Sequence, residues 1–192
     1  MSESLLRLDG LVAGHRAPVV GPLSFALGRG EVLGLWGGNG SGKSTLLNAI
    51  ARAARVFAGT IRRAPGLRLS YQEQRPVRLE PMPMTGADLL RAAGLDPRRA
   101  PATLGALLGQ RLDRLSGGQY QLLCVWCALG AEVDLVLLDE PTNNLDPGAE
   151  RSLRALLETA RADRAVLLVS HERAFLDAVS TRVLALDAGG WS

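Results

Sequence analysis

Apolar residues along this chain follow three rhythms. "EVLGLW" (31–36), "VDLVLLDE" (133–140) and "RAVLLVSH" (164–171) are nearly unbroken apolar runs. Such runs predict strands buried on both faces, as in a parallel sheet. "LLRLDGL" and "VVGPLSFALGRGE" are interrupted by Gly and Pro and predict antiparallel strands. "GTIRR", "LRLSY" and "TRVLALD" predict three further strands. Helical spacing predicts helices over 43–55, 85–93, 102–109 and 117–130. "PGAERSLRALLETAR" predicts an amphipathic helix and "ERAFLDAVS" a short one. "RPVRLEPMPM" (75–84) holds three prolines and predicts an extended loop.

Strand and helix therefore alternate in the first and last thirds, with a helical insert between them. That alternation predicts an α/β fold with a mostly parallel sheet, N-terminal antiparallel strands and a small helical subdomain. The expected organisation is one domain over 1–192, with a core at about 1–74 and 131–192 and the helical subdomain at about 75–130. No internal repeat, low-complexity tract or disordered tail is visible in the sequence.

Composition narrows the function. The 192 residues are 47% hydrophobic, enough for a sizeable core. Aromatics are only 4%, which argues against stacking platforms for single-stranded nucleic acid. The apolar runs are strand-length, well short of the roughly 20 residues of a membrane span. "MSESLLRLDG" has no basic n-region or cleavage site, so no signal peptide is expected. If the protein works at a membrane, a partner supplies the spans. The net charge of +3 is scattered and reads as a solvated mixed surface. Cys124 and Cys127 lie one helical turn apart. A closed zinc site takes about four ligands, and His15 and His171 are distant in sequence, so the pair reads as buried small apolar residues. Two cysteines in a chain without a leader fit a reducing compartment.

One charge stands apart. Every basic residue except Lys43 is arginine. A single retained ammonium points to a site where a planar guanidinium will not serve. Lys43 lies in Gly37-Gly38-Asn39-Gly40-Ser41-Gly42-Lys43-Ser44-Thr45, a full match to G-x-x-x-x-G-K-[ST] between a buried strand and a helix. Glycines let such a loop curl until its N–H groups converge on phosphates, and the helix start adds partial positive charge. Lys43 is expected to reach the β- and γ-phosphates, and the Ser44 hydroxyl to bind Mg²⁺. "LVLLDE" brings two acids to a strand's C-terminal end. Asp139 is expected to hold Mg²⁺ and Glu140 to polarise an attacking water.

A second glycine-rich helix start, "LSGGQ" (Leu115–Gln119), carries no lysine. Ser116 reads as an N-cap and the Gly117 and Gly118 amides open a helix, making a second anion site. The phosphate loop, "LSGGQ", "LVLLDEPT" and "VSH", in this order, resemble the ATP-binding cassette (ABC) family from about Leu5 to Asp187. The resemblance implies ATP and Mg²⁺ as ligands. It implies a homodimer or cassette heterodimer in which each ATP lies between one subunit's loop and Ser116, Gly117, Gly118 and Gln119 of the other. It also implies that Gln74, with Gln72 as the alternative, binds Mg²⁺ and senses the γ-phosphate. Asn143–Asp146 would cross the dimer interface, and His171 would contact the γ-phosphate and the attacking water. Three positions depart from the family pattern. His15 stands nearest where an aromatic usually stacks on adenine. Gly38 replaces a proline, which should loosen the loop. Leu122 replaces an arginine, so a local polar contact is in doubt.

Two functions follow from the resemblance. "YQEQRPVRLEPMPMTGADLLR" is similar to zinc/manganese-type importer ATPases. It implies an ATP-hydrolysing subunit on the inner, cytoplasmic face of the cell membrane that drives transport through a separate integral membrane permease, with no direct contact to nucleic acid. "DEPTNNLD" and "SHERAFLD" are instead similar to soluble ABC-F-type proteins acting on ribosomes. That group carries two cassettes and a charged linker, whereas this chain has one cassette, so transport is the leading expectation.

Overall fold

A computed structural model describes residues 4–74, 83–143, 145–160, 164–187 and 190–191. Most of the proline-rich loop expected at 75–84, and Asn144, lie outside the described residues.

The apolar runs form the centre of the molecule. β3 (Val32–Trp36), β6 (Leu135–Asp139), β7 (Ala165–Ser170), β8 (Arg182–Asp187) and β5 (Leu69–Gln72) belong to one six-stranded sheet, in the order β5-β6-β7-β3-β8-β9. All its pairings are parallel except that of β8 with the two-residue β9 (Gly190–Trp191), which the sequence pattern did not predict. Side chains alternate between its two faces. Val32, Val136, Leu138, Val166 and Leu168 enter one apolar cluster, while Leu33, Leu35, Leu135, Leu137 and Leu167 enter another. The central strands β3, β6 and β7 are therefore apolar at nearly every position, which is why their runs are almost unbroken.

The second cluster is closed by α1 (Lys43–Ile50) and by a three-stranded antiparallel sheet, β2-β1-β4. That sheet comprises β1 (Ser4–Gly14), β2 (Pro18–Gly28) and β4 (Arg55–Arg63). β4 pairs along most of β1, from Gly14 opposite Arg55 to Leu6 opposite Arg63. Helix α1 consequently ends at Ile50, five residues before the predicted end. "ARAAR" favours helix by propensity, but pairing with β1 claims Arg55 onward. The reversal is made by Arg52 at φ 67°, with the Ala51 amide donating to Leu47 O at 2.8 Å. Gly59 (φ 74°) crosses β1 so closely that a Cβ there would lie 2.2 Å from Gly10 O.

The first cluster is closed by α5 (Pro147–Ala160), α6 (Arg173–Val179) and the helical insert. The insert contains α2 (Gly86–Ala92), α3 (Gly105–Leu108) and α4 (Gly117–Leu129). The helix predicted over 102–109 is broken into a 3₁₀ turn at Ala102–Leu104 and the single turn of α3. Thr85 caps α2 reciprocally with Asp88, and Ser116 caps α4 reciprocally with Gln119. Leu104, Leu112, Leu115 and Leu123 share the cluster beneath β6 and β7. Among the described residues no helix is long and apolar enough to cross a membrane.

Candidate active site

Three loops at the C-terminal ends of adjacent parallel strands meet at one point. The first follows β3. Gly40 (φ 79°) and Gly42 (φ 91°) take left-handed conformations that curl the chain into the start of α1. A Cβ on Gly42 would approach Val20 Cβ to 2.8 Å, so space as well as conformation calls for glycine. Gly38 has open space where a Cβ would sit, so nothing in the packing excluded the proline usual there. Lys43 is buried and folds back over its own loop. Its Nζ donates to Gly37 O at 2.7 Å and Gly38 O at 3.0 Å.

The second loop follows β6. Asp139 and Glu140 are both buried. Burial raises the Asp139 carboxyl above its ordinary range, opposed mainly by a hydrogen bond from Ser44. Asp139 Oδ2 accepts from the Tyr71 hydroxyl at 3.3 Å, whereas Oδ1 and Ser41 Oγ are buried without a hydrogen-bond partner. The unpartnered Asp139 Oδ1, on a carboxyl that also meets Ser44, suits a hard, oxygen-seeking cation such as Mg²⁺, which Ser44 and Asp139 would hold. Glu140 has φ 48°, unusual for any residue but glycine, a strain of roughly 1–3 kcal/mol that the surrounding fold must sustain.

The third loop follows β7, and Glu140 links it to the first. Glu140 Oε1 lies 3.3 Å from Lys43 Nζ. Its Oε2 lies 2.8 Å from His171 Nδ1 and accepts from the His171 amide at 3.2 Å. One carboxylate thus touches the cation of the phosphate loop and the ring of the third loop. Thr142 and Ser170 are joined hydroxyl to hydroxyl at 3.1 Å, pinning the second loop to the third.

A cavity of about 330 Å³ opens at the phosphate loop, with Asn39, Lys43, Ser44, Gln74 and Glu140 on its wall, while Asp139 and His171 lie behind Ser44 and Glu140 and outside that wall. Gln74 rather than Gln72 faces it. Gln72 is buried and borders a separate groove. Val19, which the sequence reading did not single out, also lines the cavity and is 51% exposed. His15 is exposed in the β1–β2 turn, four residues before Val19. Tyr71 was missed as well. Nothing in its spacing marks it, because its reach to Asp139 depends on the parallel register of β5 with β6.

Within the signature segment Ser116 and Gly117 are exposed, Gln119 is half-buried, and Leu115 and Gly118 are buried. Gln119 N donates to Ser116 Oγ at 3.2 Å and Ser116 N to Gln119 Oε1 at 3.0 Å, so the N-cap read from sequence is present. The Ser116 and Gly117 surfaces face solvent at the head of the 13-residue α4. Asp146 caps α5, accepting from the Gly148 and Ala149 amides at 2.8 Å each. Leu122 is buried in the apolar cluster, where an arginine would need a polar partner. The cysteines correct an expectation: they are half-buried, not core residues. α4 is apolar around most of its circumference and turns Cys124 and Cys127 toward a groove of about 520 Å³ bordered by Gln72, Leu89 and Ala92. Burial pushes the two thiols up to about 11 and about 12, which keeps them protonated near neutral pH.

Known proteins resemble this chain in sequence and in overall fold. The family model for the ABC transporter matches residues 20–143. The zinc import ATP-binding protein ZnuC of Roseobacter denitrificans is 38% identical, aligned over 96% of this chain and 76% of its own length. That of Cereibacter sphaeroides is 36% identical over 92% of this chain and 79% of its own. Among solved structures, an ATP-binding subunit of an ABC transporter superposes with a TM-score of 0.81 and 28% identity, covering 98% of this chain and 88% of its own. On the match of the family model and of these relatives, the chain belongs to the ABC transporter family of ATPases.

Proposed function

We propose that this chain is the ATP-hydrolysing subunit of a zinc importer and works in pairs beneath a separate membrane permease. The observation that carries the ATPase reading is the Glu140 carboxylate, held between Lys43 at 3.3 Å and His171 at 2.8 Å. Arriving phosphates would draw Lys43 away from Glu140 and from the Gly37 and Gly38 carbonyls. Glu140 is then free to orient a water and take its proton, while His171 contacts the γ-phosphate side of the site. Ser44 and Asp139 would hold Mg²⁺, which shields phosphate charge when bound, and Gln74 borders the same cavity. Ser116, Gly117 and Gly118 present a helix start to the ATP of a second cassette, in a closed two-fold pair.

The zinc cargo and the import direction rest on the relatives, which are zinc import ATP-binding proteins. The ribosome-acting alternative has no support from them. The test is reconstitution of this chain with its permease in vesicles. ATP should drive zinc uptake, and Glu140→Gln should stop it. ATP-driven movement of a different solute, with zinc left behind, would overturn the cargo.

The adenine contact is a separate proposal. Stacking on His15 predicts that His15→Ala weakens ATP binding by about 1 kcal/mol, the scale of a modest ring contact. Calorimetric titration checks it. Unchanged affinity in His15→Ala, with a loss in Val19→Ser, would move the contact to Val19.

A further inference from the structure

β3 ends in Trp36, and a tryptophan is more than this strand end needs to fill its core. On the same face of the strand Val32 serves that purpose, while Leu33 and Leu35 face the opposite cluster. Trp36 is register partner to Ser170 of β7 and Ala185 of β8, with Gly37 of the phosphate loop next in the chain. Its ring packs against the apolar cluster under α6, and its indole edge reaches past that cluster. Nε1 donates a hydrogen bond to the His171 carbonyl at 3.2 Å. The Arg173 guanidinium carbon lies 5.9 Å from the ring centroid, and Arg173 Nε is in turn held by Asp177 at 2.9 Å. The ring is therefore fixed on one side by core packing and on another by a paired cation.

The consequence falls on His171. Its amide is held by Glu140 Oε2 at 3.2 Å and its ring Nδ1 lies 2.8 Å from the same oxygen. The His171 carbonyl lies in the next peptide unit, which is held at two points, at the carbonyl by Trp36 and at the Glu172 amide, which donates to Ser170 Oγ at 3.0 Å. With both sides held, rotation about the His171 backbone is restricted and the ring stays aimed at Glu140. We propose that Trp36 is a positioning residue for His171, and that its indole N–H, more than its bulk, sets the aim of that ring during turnover. The inference rests on the role given to His171 above. Trp36 also joins the phosphate loop, which follows it in the chain, to the His171 loop after β7, so that a shift of either is felt by the other.

The test separates the N–H from the ring. Trp36→Phe keeps an aromatic in the core and deletes the donor. ATP turnover should fall about fivefold with KM within about twofold, the scale of one partly exposed hydrogen bond used after substrate binds. The chain has only two histidines, so their ring signals in NMR are readily told apart. Trp36→Phe should shift those of His171 and leave those of His15 in place. The tryptophans are Trp36, Trp126 and Trp191. In a Trp126→Phe, Trp191→Phe background, biosynthetic replacement of Trp36 by benzothienylalanine keeps the bicyclic shape and removes only the N–H. That protein should show the same loss of turnover. Normal turnover with the analogue, or unmoved His171 signals in Trp36→Phe, would overturn the proposal. A rise in KM at constant turnover would do the same. His171→Ala is the arm for the underlying reading. If it abolishes turnover while Trp36→Phe does nothing, the Trp36 inference alone fails. If His171→Ala hydrolyses ATP normally, the reading of His171 fails with it.

Discussion

Glu140→Gln is expected to lower ATP turnover by at least about 100-fold, the usual contribution of a positioned general base, while ATP stays bound. The side chain is buried, and both carboxylate oxygens are engaged, one with Lys43 and one with His171. An amide preserves the shape but cannot accept a proton from water. It also removes the negative charge that holds Lys43 at 3.3 Å. The ammonium is then freer to meet the phosphates, so ATP affinity should match or exceed that of the unmodified protein. Phosphate release measured beside equilibrium ATP binding, with Mg²⁺ present, separates the two effects. Chelating Mg²⁺ should stop turnover in the unmodified protein, because the buried Asp139 and Glu140 carboxyls then face the phosphates with Lys43 as the only nearby cation among the described residues. Turnover near normal in Glu140→Gln would remove Glu140 from the chemistry.

The second large effect concerns two chains. Lys43→Ala should abolish turnover by emptying a chain's own loop of its cation. Ser116→Arg should abolish it by covering the exposed start of α4, where the neighbour's ATP is proposed to bind. A protein made entirely of either variant has no sound site. Mixing the two yields pairs in which one site carries both lesions and the other carries neither, so part of the activity should return. Ser116→Arg also forfeits the cap made with Gln119, a cost of about 1 kcal/mol. In a chain of this length that lowers the melting midpoint by only about 2–4 °C. A larger fall would mean that unfolding, not blockage, explains the loss. If mixing restores nothing although mixed pairs form, the two lesions do not belong to opposite halves of one site.

How much of this was written in the sequence differs from element to element. The central sheet was plain, because strands buried on both faces must be apolar throughout. "LVLLD" and "AVLLVS" are buried at every position. The phosphate loop was equally plain. Its glycines answer to conformation and to the closeness of Val20, and both constraints leave a mark at fixed spacing. The end of α1 was not legible, since "ARAAR" is good helix and only its pairing with β1 makes part of it strand. Tyr71 and Trp36 were invisible as site residues for a related reason. Each reaches its partner across neighbouring strands, and register between strands is not recorded in the local pattern. The cysteines were read as core because too few ligands accompany them for a closed zinc site, and α4 is apolar nearly all round, so its sequence does not mark an outer face. Which face meets a groove is decided by α2 and β5.

The claim at the centre of this account is that the lysine-free signature helix completes the ATP site of a second cassette. The most direct measurement is the mass of Glu140→Gln in solution by light scattering, with and without ATP and Mg²⁺. Slow hydrolysis should trap the closed pair, so the mass should double when ATP is added. In Glu140→Gln, Ser116→Arg the mass should stay that of one chain although ATP still binds. A dimer that forms with ATP in spite of Ser116→Arg, or one indifferent to ATP, would contradict the account.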